Sequence, residues 1–215
     1  MTYVTDAVAP TRETDSALER LTFFSDAVIA IAMTLLALEL PVPEGENDGE
    51  LWQSFLHLLP RQYLTFVLGF VVIAMFWHSH HRFFQHVTAL APGLVRANTV
   101  FLFTVVTLPF ATRVLGERGE STFGTVFYAL AVTAVGLSLL ALLWLVRKHG
   151  VVHSDADPEW PGRMARGILV PVSAFVISIP VAFVDNEIVR YSWVPLAWLI
   201  GLAVRGYLRL RRVNS

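Results

Sequence analysis

Apolar residues in this chain come in long blocks, not in the short alternations of half-buried strands. The first block covers 21–40 and stops at Pro41-Val42-Pro43. Further blocks cover about 61–82, 94–114, 122–147, 166–184 and 191–209. Each matches the roughly 20 residues with which a helix crosses about 30 Å of hydrocarbon. The pattern predicts an all-α membrane protein with six transmembrane helices per subunit. Pro109, Pro171 and Pro180 fall in or near spans, where neighbouring helices tolerate a kink. An acidic loop with Glu44, Glu46, Asp48 and Glu50 follows the first span. The amphipathic stretch after it, 51–59, is expected at the membrane interface.

Composition agrees with this reading. Of 215 residues, 55% are hydrophobic and 15% charged, too few charges for the surface of a soluble domain. A net charge of −1 gives nucleic-acid binding no electrostatic support. The absence of cysteine excludes disulfides, thiolate metal sites and thiol nucleophiles. Residues 1–17 carry Asp6, Glu13 and Asp15 without the apolar core of a cleavable signal peptide, and read as a polar cytoplasmic tail. Residues 18–212 then form a single six-span domain, with 213–215 as a short tail.

Orientation follows from the basic residues. With the N-terminus inside, Arg12, Arg20, Arg82, Arg96, Arg147, Lys148, Arg163, Arg166, Arg205, Arg209, Arg211 and Arg212 share one side. Only Arg61, Arg113, Arg118 and Arg190 fall on the other. Both termini are therefore expected in the cytoplasm. The acidic outer loops would concentrate cations near an outer mouth.

The first span has a polar start and an oily remainder. Ser25 and Asp26 lie near its beginning, and Thr34 is the one polar group in residues 27–38. A carboxylate at the edge of hydrocarbon is costly and needs a partner or a role. A capping role is one reading. Against it, a helix starting near Leu18 puts Asp26 inside. Ile31, Leu35 and Leu38 follow at i, i+4, i+7 and share one face over about 10 Å of axial rise. If several copies of this helix surrounded an axis, the three would make stacked apolar rings, which gate ions by dewetting. The alternative is an ordinary packing stripe. Thr34 could offer its oxygen to a cation in the same lumen, or bond its own backbone carbonyl.

The second span ends Phe76-Trp77-His78-Ser79-His80-His81-Arg82-Phe83-Phe84, with His86 beyond. His78 and His81 are i, i+3. A zinc site wants three or four converging ligands, and neither cysteine nor a Glu-x-x-His pairing accompanies these histidines, so no metal is expected. This end of the second span and the start of the first fall on the same side. His80 or His81 can therefore donate to Asp26 or Ser25, as a polar and potentially pH-sensitive latch. Trp52, Trp77, Trp193 and Trp198 read as interface anchors.

Arg20-x-x-x-Phe24-Ser25-Asp26, followed by Ala-Ile-Ala-x-Thr-Leu-Leu and then Pro41, resembles the first-helix signature of the transmembrane protein 175 family. Trp77-x-x-His80-His81-Arg82-x-Phe84 is similar to that family's second-span motif. The resemblance implies a potassium-permeable channel of prokaryotic form, a homotetramer in the cell (inner) membrane with its flanks against membrane lipid. It implies that the first helix lines a pore on the oligomer axis. The main constriction falls on Ile31, the next rings on Leu35 and Leu38, and a selectivity position on Thr34. Arg20, Phe24, Ser25 and Asp26 join a polar network with His80 or His81. No Thr-Val-Gly-Tyr-Gly loop is present, so modest potassium over sodium selectivity would come from the rings. His78 departs from the family pattern. No cofactor is implied; potassium is the permeant ion.

Two other functions compete. A proton-coupled cation transporter would use Asp26 and the histidines as a relay. It finds no inverted repeat between 21–114 and 122–209. An enzyme would use Asp26 with His80 or His81 as an acid–base pair. It finds no nucleophile, metal set or phosphate loop, so no enzyme is expected.

Overall fold

The first apolar block folds as α1 (Arg12–Leu38), beginning at Arg12 and not near Leu18. The structure, a computed structural model, describes residues 12–153, 157–185, 189 and 193. Ser25, Ile29, Ala32 and Leu36 recur at helical spacing along α1 and are buried against its neighbours. The helix ends where Glu39 and Leu40 donate their N–H groups to Leu36 and Ala37, a tightened last turn ahead of Pro41.

A capping box then starts α2 (Asp48–Leu58). The Asn47 side chain accepts from the Glu50 N–H at 3.1 Å, and the Glu50 carboxylate accepts from Glu46 N–H and Asn47 Nδ2, each at 2.8 Å. The stretch 51–59, expected as a separate interfacial piece, instead runs on through one π-helical turn (Leu59–Tyr63) into α3 (Leu64–Phe84). Pro60 has no N–H to give the preceding turn, which widens without breaking. At 37 residues, Asp48–Phe84 is about 55 Å of helix, more than a bilayer core holds.

The third expected span is broken. It forms α4 (Leu94–Val106) and α5 (Leu108–Arg118), split at Thr107 because Pro109 cannot donate to the preceding turn. Thr104 and Thr107 hydroxyls donate to the carbonyls of Phe101 and Thr104, each at 2.7 Å, so the break is not bare of hydrogen bonds. Ser121 caps α6 (Thr122–His149), which ends at Gly150 with φ +66°, a left-handed position that glycine adopts without a steric cost. The fifth span, α7 (Trp160–Ala182), starts earlier than 166 because Pro161 supplies a pre-set first turn. It stays helical through Pro171 and Pro180.

Helix α6 is the hub, packed on α4, α5 and α7, while α1 packs on α3 and α4. Among the described residues, five helical stretches are long and apolar enough to cross a membrane. The sixth span, 191–209, lies outside the described residues except for Trp193, which is buried against Tyr128 and Phe175. The α6–α7 contact depends on Gly136, because a Cβ there would overlap the Val172 side chain. Gly136→Val is expected to cost about 1–3 kcal/mol of packing strain and to lower the thermal midpoint in detergent by about 3–10 °C. An unchanged midpoint by differential scanning fluorimetry would mean that the helices separate freely at this point.

Candidate functional site: a helix anchored at both ends with one face exposed

The face of α1 opposite its buried stripe is apolar and open. Ile31 is 58% exposed, Leu35 41% and Leu38 79%, with Thr34 exposed between them. Ala27 and Ala30 continue this face toward the start of the helix. The Thr34 hydroxyl donates to its own helix, at the Ile31 carbonyl (2.8 Å). Its proton is thereby occupied, and the oxygen lone pairs remain as its chemistry toward a cation.

The polar start of α1 is held by two separate contacts. Ser25 is fully buried, and its hydroxyl donates to Leu21 O at 2.7 Å. It accepts from Asn98 Nδ2 on α4 at 2.8 Å. Asn98 Oδ1 lies 2.8 Å from His80 Nε2 on α3. The direction of this chain is fixed by its far end. Ser25 has given its only proton away, so Asn98 must donate to it and present its oxygen to His80. His80 therefore carries its proton on Nε2, and its ring stacks on Phe101 (centroids 4.7 Å apart, planes 4° apart). Three buried polar groups thus join three helices, where an unpaired one would be costly.

Asp26 takes the second contact. Trp77 Nε1 donates to its Oδ1 at 3.0 Å, and His81 Nδ1 lies 3.6 Å from Oδ2. The second distance is too long for a hydrogen bond but close enough for charge attraction when the ring is protonated. The Trp77 and His81 rings lie side by side, with centroids 5.7 Å apart. The two histidines therefore divide the work. His81 faces Asp26, and His80 reaches Ser25 only through Asn98.

Sequence reasoning missed Asn98, although a lone amide in an apolar span is itself a signal. It also assigned Trp77 only to the interface, whereas its indole N–H goes to Asp26. Arg20 and Phe24 are exposed and lie away from these contacts; Phe24 falls on the open face, two turns before Ile31. Among the described residues, no three histidine, aspartate or glutamate side chains converge on a metal-sized site.

The far end of α1 is fixed as well. Glu39 pairs with Arg113 of α5 at 3.0 Å, and Arg113 also holds Glu117 at 2.8 Å. The Tyr63 hydroxyl donates to Pro41 O just beyond the helix (3.0 Å). Arg61 and Glu120 form a further pair.

Residues 20–109, which contain α1 from Arg20 onward, the histidine motif and Asn98, match the family model described as endosomal/lysosomal potassium channel TMEM175. A potassium channel of Streptomyces collinus is 30% identical over 172 residues, covering 77% of this chain and 82% of that protein. The chain belongs to the TMEM175 family. A second relative, a potassium channel of a Chryseobacterium species, is 29% identical over 84% of this chain and 92% of its own length. The fold matches the crystal structure of a lysosomal potassium-selective channel TMEM175 homologue from Chamaesiphon minutus, with a TM-score of 0.73 and 26% identity. That match covers 87% of this chain and 98% of the other. The all-helical, multi-pass architecture is thus that of TMEM175 channels, whose named members are channels and not enzymes.

Proposed function

We propose that this chain is a passive, potassium-permeable cation channel that assembles as a homotetramer around a pore lined by α1. One observation carries the reading: α1 is tied down at both ends while a continuous apolar face between the ties is exposed and has no partner among the described residues. A rigid helix with an open apolar stripe suits a lining element, because the ring it forms keeps its diameter. Ile31 makes the constriction, Leu35 and Leu38 make the following rings, and Thr34 contributes an oxygen that favours potassium over sodium. Ser25 and Asp26, with His80, His81, Asn98 and Trp77, set the position of the helix. The sixth span is 191–209, both termini are cytoplasmic, and the channel sits in a prokaryotic cell membrane. No cofactor is needed; potassium is the cargo.

The test is current through the purified full-length protein in planar bilayers with potassium and sodium on opposite sides. A non-saturating conductance with a reversal potential on the potassium side is expected. Asp26→Asn separates this from the proton-coupled transporter, which neither the names of the relatives nor the absence of an inverted repeat favours. A channel keeps a potassium conductance, altered in amplitude, whereas a transporter loses coupled, proton-dependent flux altogether. Saturating flux that collapses in Asp26→Asn would overturn the channel reading.

A further inference from the structure

His78 stands outside the network that holds α1, and it lines a chamber of about 220 Å³ between the end of α3 and the start of α7. Arg82, Arg163, Ser79, Trp160 and Gly167 complete most of the wall. Arg163 is shared with Asp157 and Glu159. Arg82 is exposed and forms no salt bridge among the described residues. Arg82 is thus the lining cation that has no carboxylate partner among the described residues.

Ser79 and Gly167 also line a second cavity, of about 210 Å³, that runs deeper between α3, α6 and α7. Its wall is apolar, including Leu68, Val71, Met75, Val132, Ile168 and Phe175. The two cavities thus share a threshold, cationic above and oily below. From Ser79 to Leu68 the groove follows α3 for 11 residues, about 16 Å, close to half of a roughly 30 Å hydrocarbon core. On α7, Arg163, Gly167, Pro171 and Phe175 recur every fourth residue and form the facing wall. A Cβ at Gly167 would meet nothing within 4 Å, so the missing side chain leaves the threshold open.

We infer that this groove binds one anionic phospholipid, with its phosphodiester headgroup at Arg82, Arg163 and His78 and an acyl chain along Leu68 to Phe175. The length of the apolar part and the arginines at its mouth fit a headgroup with one acyl chain attached. A soluble phosphate ester would use only the upper chamber. The Arg82 end is the arginine-rich side, so the site belongs to the leaflet where anionic lipid meets basic residues. The side rests on the orientation proposed above, but binding itself is independent of conduction. A protein that passes no potassium yet holds the lipid would sink only the channel reading.

Native mass spectrometry of the full-length protein in detergent, titrated with dioleoylphosphatidylglycerol or dioleoylphosphatidylcholine, tests this. A roughly tenfold preference for phosphatidylglycerol is expected, falling to about threefold or less in Arg82→Gln. Gly167→Leu, which fills open space, is expected to weaken phosphatidylglycerol binding by a similar factor. If Gly167→Leu does not fold, Arg82→Gln, at an exposed position, decides alone. Equal binding of the two lipids, an Arg82→Gln variant with the wild-type preference, or a folded Gly167→Leu variant with the wild-type affinity would overturn the proposal. So would displacement of the lipid by an equal concentration of glycerol 3-phosphate, which would make the chamber a simple anion site.

Discussion

Replacing Ile31 with asparagine is expected to raise potassium flux through the reconstituted protein by about tenfold and to pull the potassium-to-sodium ratio toward one. A constriction of isoleucine side chains opposes entry because water and ions lose hydration there with nothing to replace it. Asparagine offers a carbonyl and an amide at the same place, so the ring stays wet. Lowering the passage barrier by about 1.4 kcal/mol is sufficient for a tenfold rate. Leu35 and Leu38 remain, so the gain is bounded and the channel does not become an open tube. Leu38→Asn, nearer the end of the helix, is expected to change flux less. Flux assays in potassium-loaded liposomes decide the matter. Unchanged flux in Ile31→Asn would mean that its 58% exposure reflects a contact with lipid or with another copy, and not a pore.

The second large effect is on assembly. Asn98→Ala removes both hydrogen bonds of the buried chain at once and strands Ser25 Oγ and His80 Nε2 as acceptor and donor. In a membrane a single interhelical hydrogen bond averages about 0.6 kcal/mol and reaches about 1.7, because the separated helices also find partners. Two lost bonds plus the stranded groups come to about 2–3 kcal/mol. For a chain of this size that is a fall of about 5–10 °C in the thermal midpoint. Ser25→Ala added to Asn98→Ala is expected to cost less than the sum of the two, since the first change has already left Ser25 without its donor. Fluorescence-detected size exclusion after heating measures both. Additive losses would show that Ser25 and Asn98 act separately.

How far the sequence could be read depended on the range of each interaction. The five described spans were legible because hydrophobic blocks of helical length report on the bilayer and need no tertiary partner. The boundaries were less so. The block at 94–114 is equally apolar on both sides of Thr107, and the break comes from a backbone donor that Pro109 lacks. The join between 51–59 and the second span was hidden for a related reason. A proline usually stops a helix, and whether the turn widens instead depends on packing around it.

The candidate site divides in the same way. Helical spacing alone put Ile31, Leu35 and Leu38 on one face and made Ser25 and Asp26 in need of partners. It left open whether that face was packed or bare, since period says which residues share a side and not what lies across from them. The sequence also brought His80 and His81 to the correct end of the molecule, through the alternation of spans. Which histidine served which residue was decided only by tertiary structure. Neighbouring residues on a helix point about 100° apart, so His80 faces α4 and meets Asn98, while His81 faces α1 and meets Asp26. By itself the sequence determined a multi-span helical membrane protein with an amphipathic first helix. Only the packing of α1 against α3 and α4 decided which face is buried, because burial belongs to pairs of surfaces and no single strand of text contains both.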